Sequence, residues 1–237
     1  METTLFSSNE YRESNDIYRK SLGRDHGNIV LGQNTSRILI EDPKLLLFTL
    51  SRYKFVSKML NGSKSTLEIG CQEGFGANLI FPVVGNYYGI DFYKPYIEFA
   101  QKNCRAKNAQ FLHGDILDHK IDGLASYAPF ESCFALDVLE HIDAKDEDEF
   151  MLNVLKMLDP LQGKMIIGMP SLESQIYASE ASRKGHINCK TYDDLRSFAS
   201  KYFSFVFMFS LNDEAMHTGF GPMSHYILAL CALPRKI

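Results

Sequence analysis

The 237-residue chain contains no tryptophan, no two cysteines close enough to form a CxxC pair, and no apolar run approaching the ~20 residues that a membrane-spanning helix needs. Its five cysteines, Cys71, Cys104, Cys133, Cys189 and Cys231, are scattered. That scatter argues against a disulfide framework or a thiolate zinc site and leaves them as packing residues. The opening METTLFSSNEYRESND lacks the charged and apolar regions of a signal peptide, so a soluble, cytoplasmic protein is expected. Basic residues are also in short supply. With 25 Lys and Arg against 29 Asp and Glu the net charge is −4, and without a broad basic stripe a nucleic-acid partner is disfavoured. One local reversal lies between residues 12 and 64, where ten Lys and Arg stand against five Asp and Glu and would suit an anionic contact.

What the chain does have is apolar content, 45% hydrophobic and 12% aromatic, enough for one domain with a sizeable core. Asp42-Pro43 opens a helix with a good N-cap and a proline at its first position, and Leu46, Leu50, Tyr53 and Leu60 recur on one face until Asn61-Gly62 stops it. From Ser65 the pattern alternates: a strand STLEIG, a helix from Phe75, a strand NYYGID, a helix led by Pro95, then strand AQFLHGD. Strand ESCFALD, a helix over Phe150 to Leu158, strand GKMIIGMP, a helix opened by Thr191 with Asp194 three residues on, and two strand-like runs, FSFVFMFS and HYILALCAL, complete it. Strands separated by single helices predict an α/β fold with a mostly parallel sheet covered on both faces.

The stretch TLEIGCQEGFGANLI asks what its glycines hold. A strand that ends in glycines at a helix start offers free backbone N–H groups to a ligand. The glycines fall at Gly70, Gly74 and Gly76, and Gln72 stands where a dinucleotide G-x-G-x-x-G loop needs its second glycine, which speaks against a nicotinamide-dependent oxidoreductase. Glu68, two residues before Gly70, would pair with a cationic ligand better than with a pyrophosphate. Asp91 ends the next strand about 20 residues later, where such sites offer a carboxylate to both ribose hydroxyls, with Phe92 directly after it. Asp115, followed by Ile116, ends the strand after that, on the side where an adenine ring would lie. Asp137 ends the strand on the other side of the glycine loop.

These residues resemble the class I S-adenosylmethionine-dependent methyltransferases, whose first motif is [D/E]-x-G-x-G-x-G. Glu68, Gly70 and Gly74 match it, Gly76 is an additional glycine and Gln72 departs from it. The resemblance runs from about Ser65 to Pro170, including LDVLEHI, and is nearest to ubiquinone-biosynthesis-like small-molecule methyltransferases. It implies S-adenosylmethionine as cofactor, a Rossmann-like seven-stranded sheet in the order 3-2-1-4-5-7-6 with its last strand antiparallel, and a single domain. In that domain residues 1–60 would form a helical arm or lid and residues 61–237 the core.

A sulfonium methyl is already activated, so the protein must align an acceptor, exclude water and take up the acceptor's proton. His141, in the pair Glu140-His141, is the first candidate for that proton, followed by His186 and His217, while His225 is expected to be structural. Asp137, Glu140, His141 and the distant His186 are also similar to the E-x-x-E-H and later H by which small-RNA 2′-O-methyltransferases hold a divalent metal. The expectation here is proton removal or positioning without a metal. Tyr18, Arg24 and His26 in the arm, with loops at residues 171–188 and 212–223, are expected to bind the acceptor. That acceptor is expected to be a polar, phosphate-bearing small molecule methylated on oxygen or nitrogen. The alternatives are an RNA ribose or a non-catalytic cofactor-binding subunit serving a partner.

Overall fold

The computed structural model describes residues 8–22, 29–118 and 123–236. The chain divides into two compact units, residues 1–30 and 31–237. The first holds helix α1 (Ser8–Leu22), within which the Asn15 side chain donates to the carbonyl of Tyr11.

The second unit begins with α2 (Gln33–Glu41) and α3 (Pro43–Met59) and continues as β1 (Ser65–Ile69), β2 (Asn86–Asp91), α4 (Lys94–Asn103), β3 (Ala109–His113), β4 (Ser132–Leu136) and α5 (Glu147–Met157). It ends with β5 (Lys164–Pro170), α6 (Glu180–Gly185), α7 (Tyr192–Tyr202), β6 (Phe203–Asn212), β7 (Ala215–His217) and β8 (Tyr226–Pro234). The sheet order is β3-β2-β1-β4-β5-β8-β6-β7. Strands β1 to β5 are mutually parallel, and β8 runs antiparallel to β5 on one side and β6 on the other. All five parallel strands therefore end at one edge of the sheet.

Alternation along the strands builds two cores. Leu67 and Ile69 of β1, with Cys133 and Ala135 of β4, face a cluster that includes Phe150 of α5 and Leu195 of α7. Phe134 and Leu136 point the other way, to Tyr53 and Val56 of α3. A two-residue period on a sheet buried on both faces requires this division. Thr191 caps α7 by accepting from the Asp194 N–H at 3.1 Å.

The fold differs from the expected one in three places. The sheet has eight strands, because Asp213, at φ +51, turns the chain back so that Ala215 to His217 pair with the end of β6. Between β1 and β2 the expected helix is a 3-10 turn, Gly76–Leu79. Pro82 lacks the N–H that a continuing helix needs, and the Asn78 side chain takes the Phe75 carbonyl at 2.8 Å, so the turn ends after four residues. The glycine loop thus carries no long helix dipole. The loop expected at residues 171–188 contains α6, whose N-terminal Ser182 N–H is accepted by Ser179 Oγ.

Candidate active site

Where β1, β2 and β4 end, a cavity of about 870 Å³ opens, a size suited to a cofactor. Gly70, Gln72, Asp91, Asp115, Asp137 and His141 are among its lining residues. The loop after β1 makes two left-handed steps here. Gly70 has φ +75, and a Cβ on it would come within 2.4 Å of Val138 Cγ2. Gln72 has φ +47, unusual for a residue with a side chain, and two bonds hold it: its N–H to Asp91 Oδ2 at 3.0 Å, and Asn34 Nδ2 to its Oε1 at 2.9 Å.

Asp91 is almost buried and accepts from the N–H groups of Gln72 and Tyr93, at 3.0 and 2.8 Å. Burial pushes its pKa up, while the two amides and His113 oppose the shift. A carboxylate has about four acceptor positions, so capacity remains for hydroxyl groups in the cavity. Asp115 holds the Leu117 N–H at 2.9 Å in a tight turn that presents the buried Ile116 to the cavity. Phe92 is exposed on the rim. Next to it Tyr93 and Tyr96, which the sequence reading passed over, form an edge-to-face pair with centroids 4.8 Å apart. Their one sequence signal was their place directly after the strand-end acid.

Glu68, Gly74 and Gly76 lie away from this wall. Glu68 faces the α3 side of the sheet, where the hydroxyls of Tyr53 and Tyr87 donate to its carboxylate, and burial raises its pKa to about 7. The odd-numbered neighbours of Glu68 fill one core, so the pleat sends it to the other and its charge cannot meet a ligand. A Cβ at Gly76 would meet the Tyr53 ring at 2.3 Å, and one at Gly74 the Phe111 ring at 2.7 Å, so both permit close packing beneath the loop. Glu73, not singled out from sequence, caps α2 instead: its carboxylate accepts from the Asn34 N–H, the Thr35 N–H and the Thr35 hydroxyl.

The second half of the site follows β4. Asp137 takes a left-handed φ of +57, and a 3-10 turn over Leu139–His141 then buries Glu140 completely. Neither Glu140 carboxylate oxygen has a hydrogen-bond partner, and burial drives its pKa well above the ordinary value. Two imidazoles stand beside it. His141 Nδ1 bonds the Gly185 carbonyl and His186 Nδ1 bonds Gln175 Oε1, both at 2.9 Å. Both acceptors are oxygens, so each Nδ1 carries a proton and each Nε2 is the ring atom left free of that bond. The rings lie 5.1 Å apart, and one ligand atom from each of Glu140, His141 and His186 falls within 4.8 Å of the others. Burial, and then the neighbouring His141, depress the His186 pKa and favour its neutral form.

This donor set fits a divalent cation. A buried carboxylate without a partner is costly, and histidines whose Nδ1–H is held by an oxygen are arranged as metal ligands usually are. Mixed nitrogen and oxygen donors suit ions such as Mn²⁺, Fe²⁺, Co²⁺ or Zn²⁺. Asp137 is engaged elsewhere: Arg52 Nη1 lies 2.9 and 2.7 Å from its two oxygens, and the guanidinium rests on the Tyr226 ring, 3.8 Å from the centroid.

A second cavity, of about 460 Å³, adjoins His186 and is also lined by Gln175, Tyr177 and His225. His225, expected to be structural, therefore faces open space. His217 lines neither cavity; it sits on β7, where its Nδ1 accepts from the Gly219 N–H at 3.0 Å. Tyr18 belongs to α1 in the separate first unit, and Arg24 and His26 lie outside the described residues.

Residues 67–167 match the family model of a methyltransferase domain. A search of curated protein sequences finds no match. Among solved structures the chain is similar to the methyltransferase domain of bacterial CtHen1, with 16% identity over 78% of this chain and 98% of that one and a TM-score of 0.64. The N-methyltransferase NodS from Bradyrhizobium japonicum WM9 in complex with S-adenosyl-L-homocysteine is 19% identical over 90% of this chain and 96% of that one, with a TM-score of 0.58. The small RNA methyltransferase HEN1 is 19% identical over 76% of this chain and 24% of that one, with a TM-score of 0.60.

Proposed function

We propose that this chain is a class I S-adenosylmethionine-dependent methyltransferase that transfers the cofactor's methyl group to a hydroxyl oxygen of a neutral small molecule, with a divalent cation held by Glu140, His141 and His186. The observation that carries the reading is the buried Glu140 carboxyl with no partner on either oxygen, beside two imidazoles each oriented by a hydrogen bond at Nδ1.

In this reading Asp91 receives the ribose hydroxyls, Ile116 packs on the adenine with Asp115 beside it, and Gly70 and Gln72 lie along the methionine part. S-adenosylmethionine supplies a methyl already activated by its sulfonium, and the cation would lower the pKa of an acceptor hydroxyl. Gly185 and Gln175 orient the two imidazoles, and Glu140 would supply the one negative charge of the set. The smaller cavity beside His186 would hold the acceptor's body. No Lys, Arg, Asp or Glu is among its lining residues, which favours a neutral acceptor over the phosphate-bearing one suggested by the basic excess of residues 12 to 64.

A second reading, methylation of a ribose hydroxyl on RNA, is favoured by the same Glu140, His141 and His186 set, which is similar to the metal-holding pattern of small-RNA 2′-O-methyltransferases. One experiment separates the two. The purified chain is given S-adenosylmethionine with neutral alcohols and phenols, their phosphorylated counterparts, amines and short RNAs. Release of S-adenosylhomocysteine is followed before chelation, after it, and with Mn²⁺ restored. Turnover on neutral hydroxyl compounds that chelation abolishes and Mn²⁺ returns is the expected result. Turnover on RNA alone would select the second reading, and chelator-resistant turnover or a preference for amines would overturn the first.

A further inference from the structure

Asp137 is the carboxylate nearest in sequence to the cation set, although its oxygens stand outside the group formed by Glu140, His141 and His186. It lies three residues before Glu140, across a single 3-10 turn, and lines the same cavity as His141. Its charge acts on both Glu140 and His186. Both of its oxygens are nevertheless taken by one nitrogen of Arg52, at 2.9 and 2.7 Å. Arg52 comes from the middle of α3 and has little freedom to leave. Its side chain is 14% exposed, and its guanidinium carbon sits over the Tyr226 ring, 3.8 Å from the centroid. The pair is thus a half-buried ion pair at the border of a site whose remaining groups are one carboxyl and two imidazoles.

We propose that Arg52 sets the composition of the cation site by withholding Asp137 from it. This rests on the cation reading above. With Asp137 neutralised, the ion meets three protein ligands bearing one negative charge. Three ligands are the number that catalytic sites commonly use, because positions are left open for the reactant. A fourth ligand bearing a second negative charge would hold the ion more tightly and close one of those positions. Arg52 is therefore a positioning residue that trades affinity for access.

Titration with Co²⁺, followed by its visible absorption in the protein saturated with S-adenosylhomocysteine, tests the proposal without turnover. Arg52→Met is expected to tighten Co²⁺ binding tenfold or more. In Arg52→Met/Asp137→Asn, which removes both charges together, affinity should return to within about threefold of the wild type. Arg52→Lys, which keeps the cation, should stay near the wild type. Should the methionine variant fail to fold, Arg52→Gln with and without Asp137→Asn gives the same comparison. Unchanged or weaker binding in a folded Arg52→Met or Arg52→Gln protein would overturn the proposal, as would tightening that persists without Asp137. A flat titration in the wild type would instead overturn the cation reading beneath it.

Discussion

Two glutamates lie fully inside this protein on opposite sides of the sheet's glycine-loop edge, and their surroundings differ in kind. Glu68, beneath the loop, receives hydroxyl bonds from Tyr53 and Tyr87. Glu140, beyond β4, receives nothing on either oxygen. A buried carboxyl that its own fold satisfies serves packing, whereas one left open is costly to ionise unless a positive partner arrives. The pair teaches that the acidic residue inside the apparent cofactor motif is a core residue, while the one in LEHI is the carboxyl left without a partner.

Removing Glu140 should give the largest effect. Glu140→Gln is expected to lower turnover by about 100-fold or more, since even groups outside the ligand set commonly change metal sites by 10–100-fold. Its folding stability should hold or rise, because the substitution keeps the side chain's shape and removes a group that is costly to ionise when buried. Initial rates and urea midpoints on the same preparation check both. Full activity in this variant would erase the contrast with Glu68.

Asp91→Ala should come next. It is expected to weaken S-adenosylmethionine binding by roughly 3 kcal/mol, about 100-fold, if two charged hydrogen bonds of ~1.5 kcal/mol each are lost. Calorimetry on the folded variant measures this directly, and unchanged affinity would remove Asp91 from the cofactor site.

Glu68 should act on stability rather than chemistry. Its pKa rises on folding from 4.5 to about 7, so the folded protein holds this proton more firmly than the unfolded chain does. The resulting stabilisation is complete below pH 4.5, fades as the pH climbs to about 7 and is absent above it, a span corresponding to roughly 3 kcal/mol. Glu68→Gln, which does not titrate, should therefore gain on the wild type by up to that amount between about pH 4.5 and pH 8. Urea midpoints across this range test it, and a constant difference would show that the tyrosine hydroxyls keep Glu68 ionised. Methyl transfer by Glu68→Gln should stay near the wild-type rate.

The parts of this architecture that are legible in sequence are those in which local pattern and tertiary role coincide. Strand-end acids at positions 91, 115 and 137 face one cavity because five parallel strands stop at one edge, and the alternation of elements already implies that edge. Thr191 with Asp194 announces a helix start because a cap is a four-residue affair. What is hidden depends on partners distant in the chain. Glu68 reads as a ligand group until Tyr53 and Tyr87 are seen to claim it, and Asp137 until Arg52, 85 residues earlier, does the same. His141 and His186 meet only because Gly185 and Gln175 orient them from a loop whose α6 no periodicity signalled. The 3-10 turn after the glycines hinged on Pro82 and on the side chain of Asn78, a competition that a pattern of apolar residues does not register.

The most direct test of the account is an equilibrium titration of the S-adenosylhomocysteine-loaded protein with Mn²⁺, reading the free ion by electron spin resonance, for the wild type and for Glu140→Gln. The account predicts a single saturable ion per chain in the wild type and its loss in the variant at the same concentrations. A wild-type protein that leaves Mn²⁺ free, or a site that survives Glu140→Gln unaltered, would contradict it.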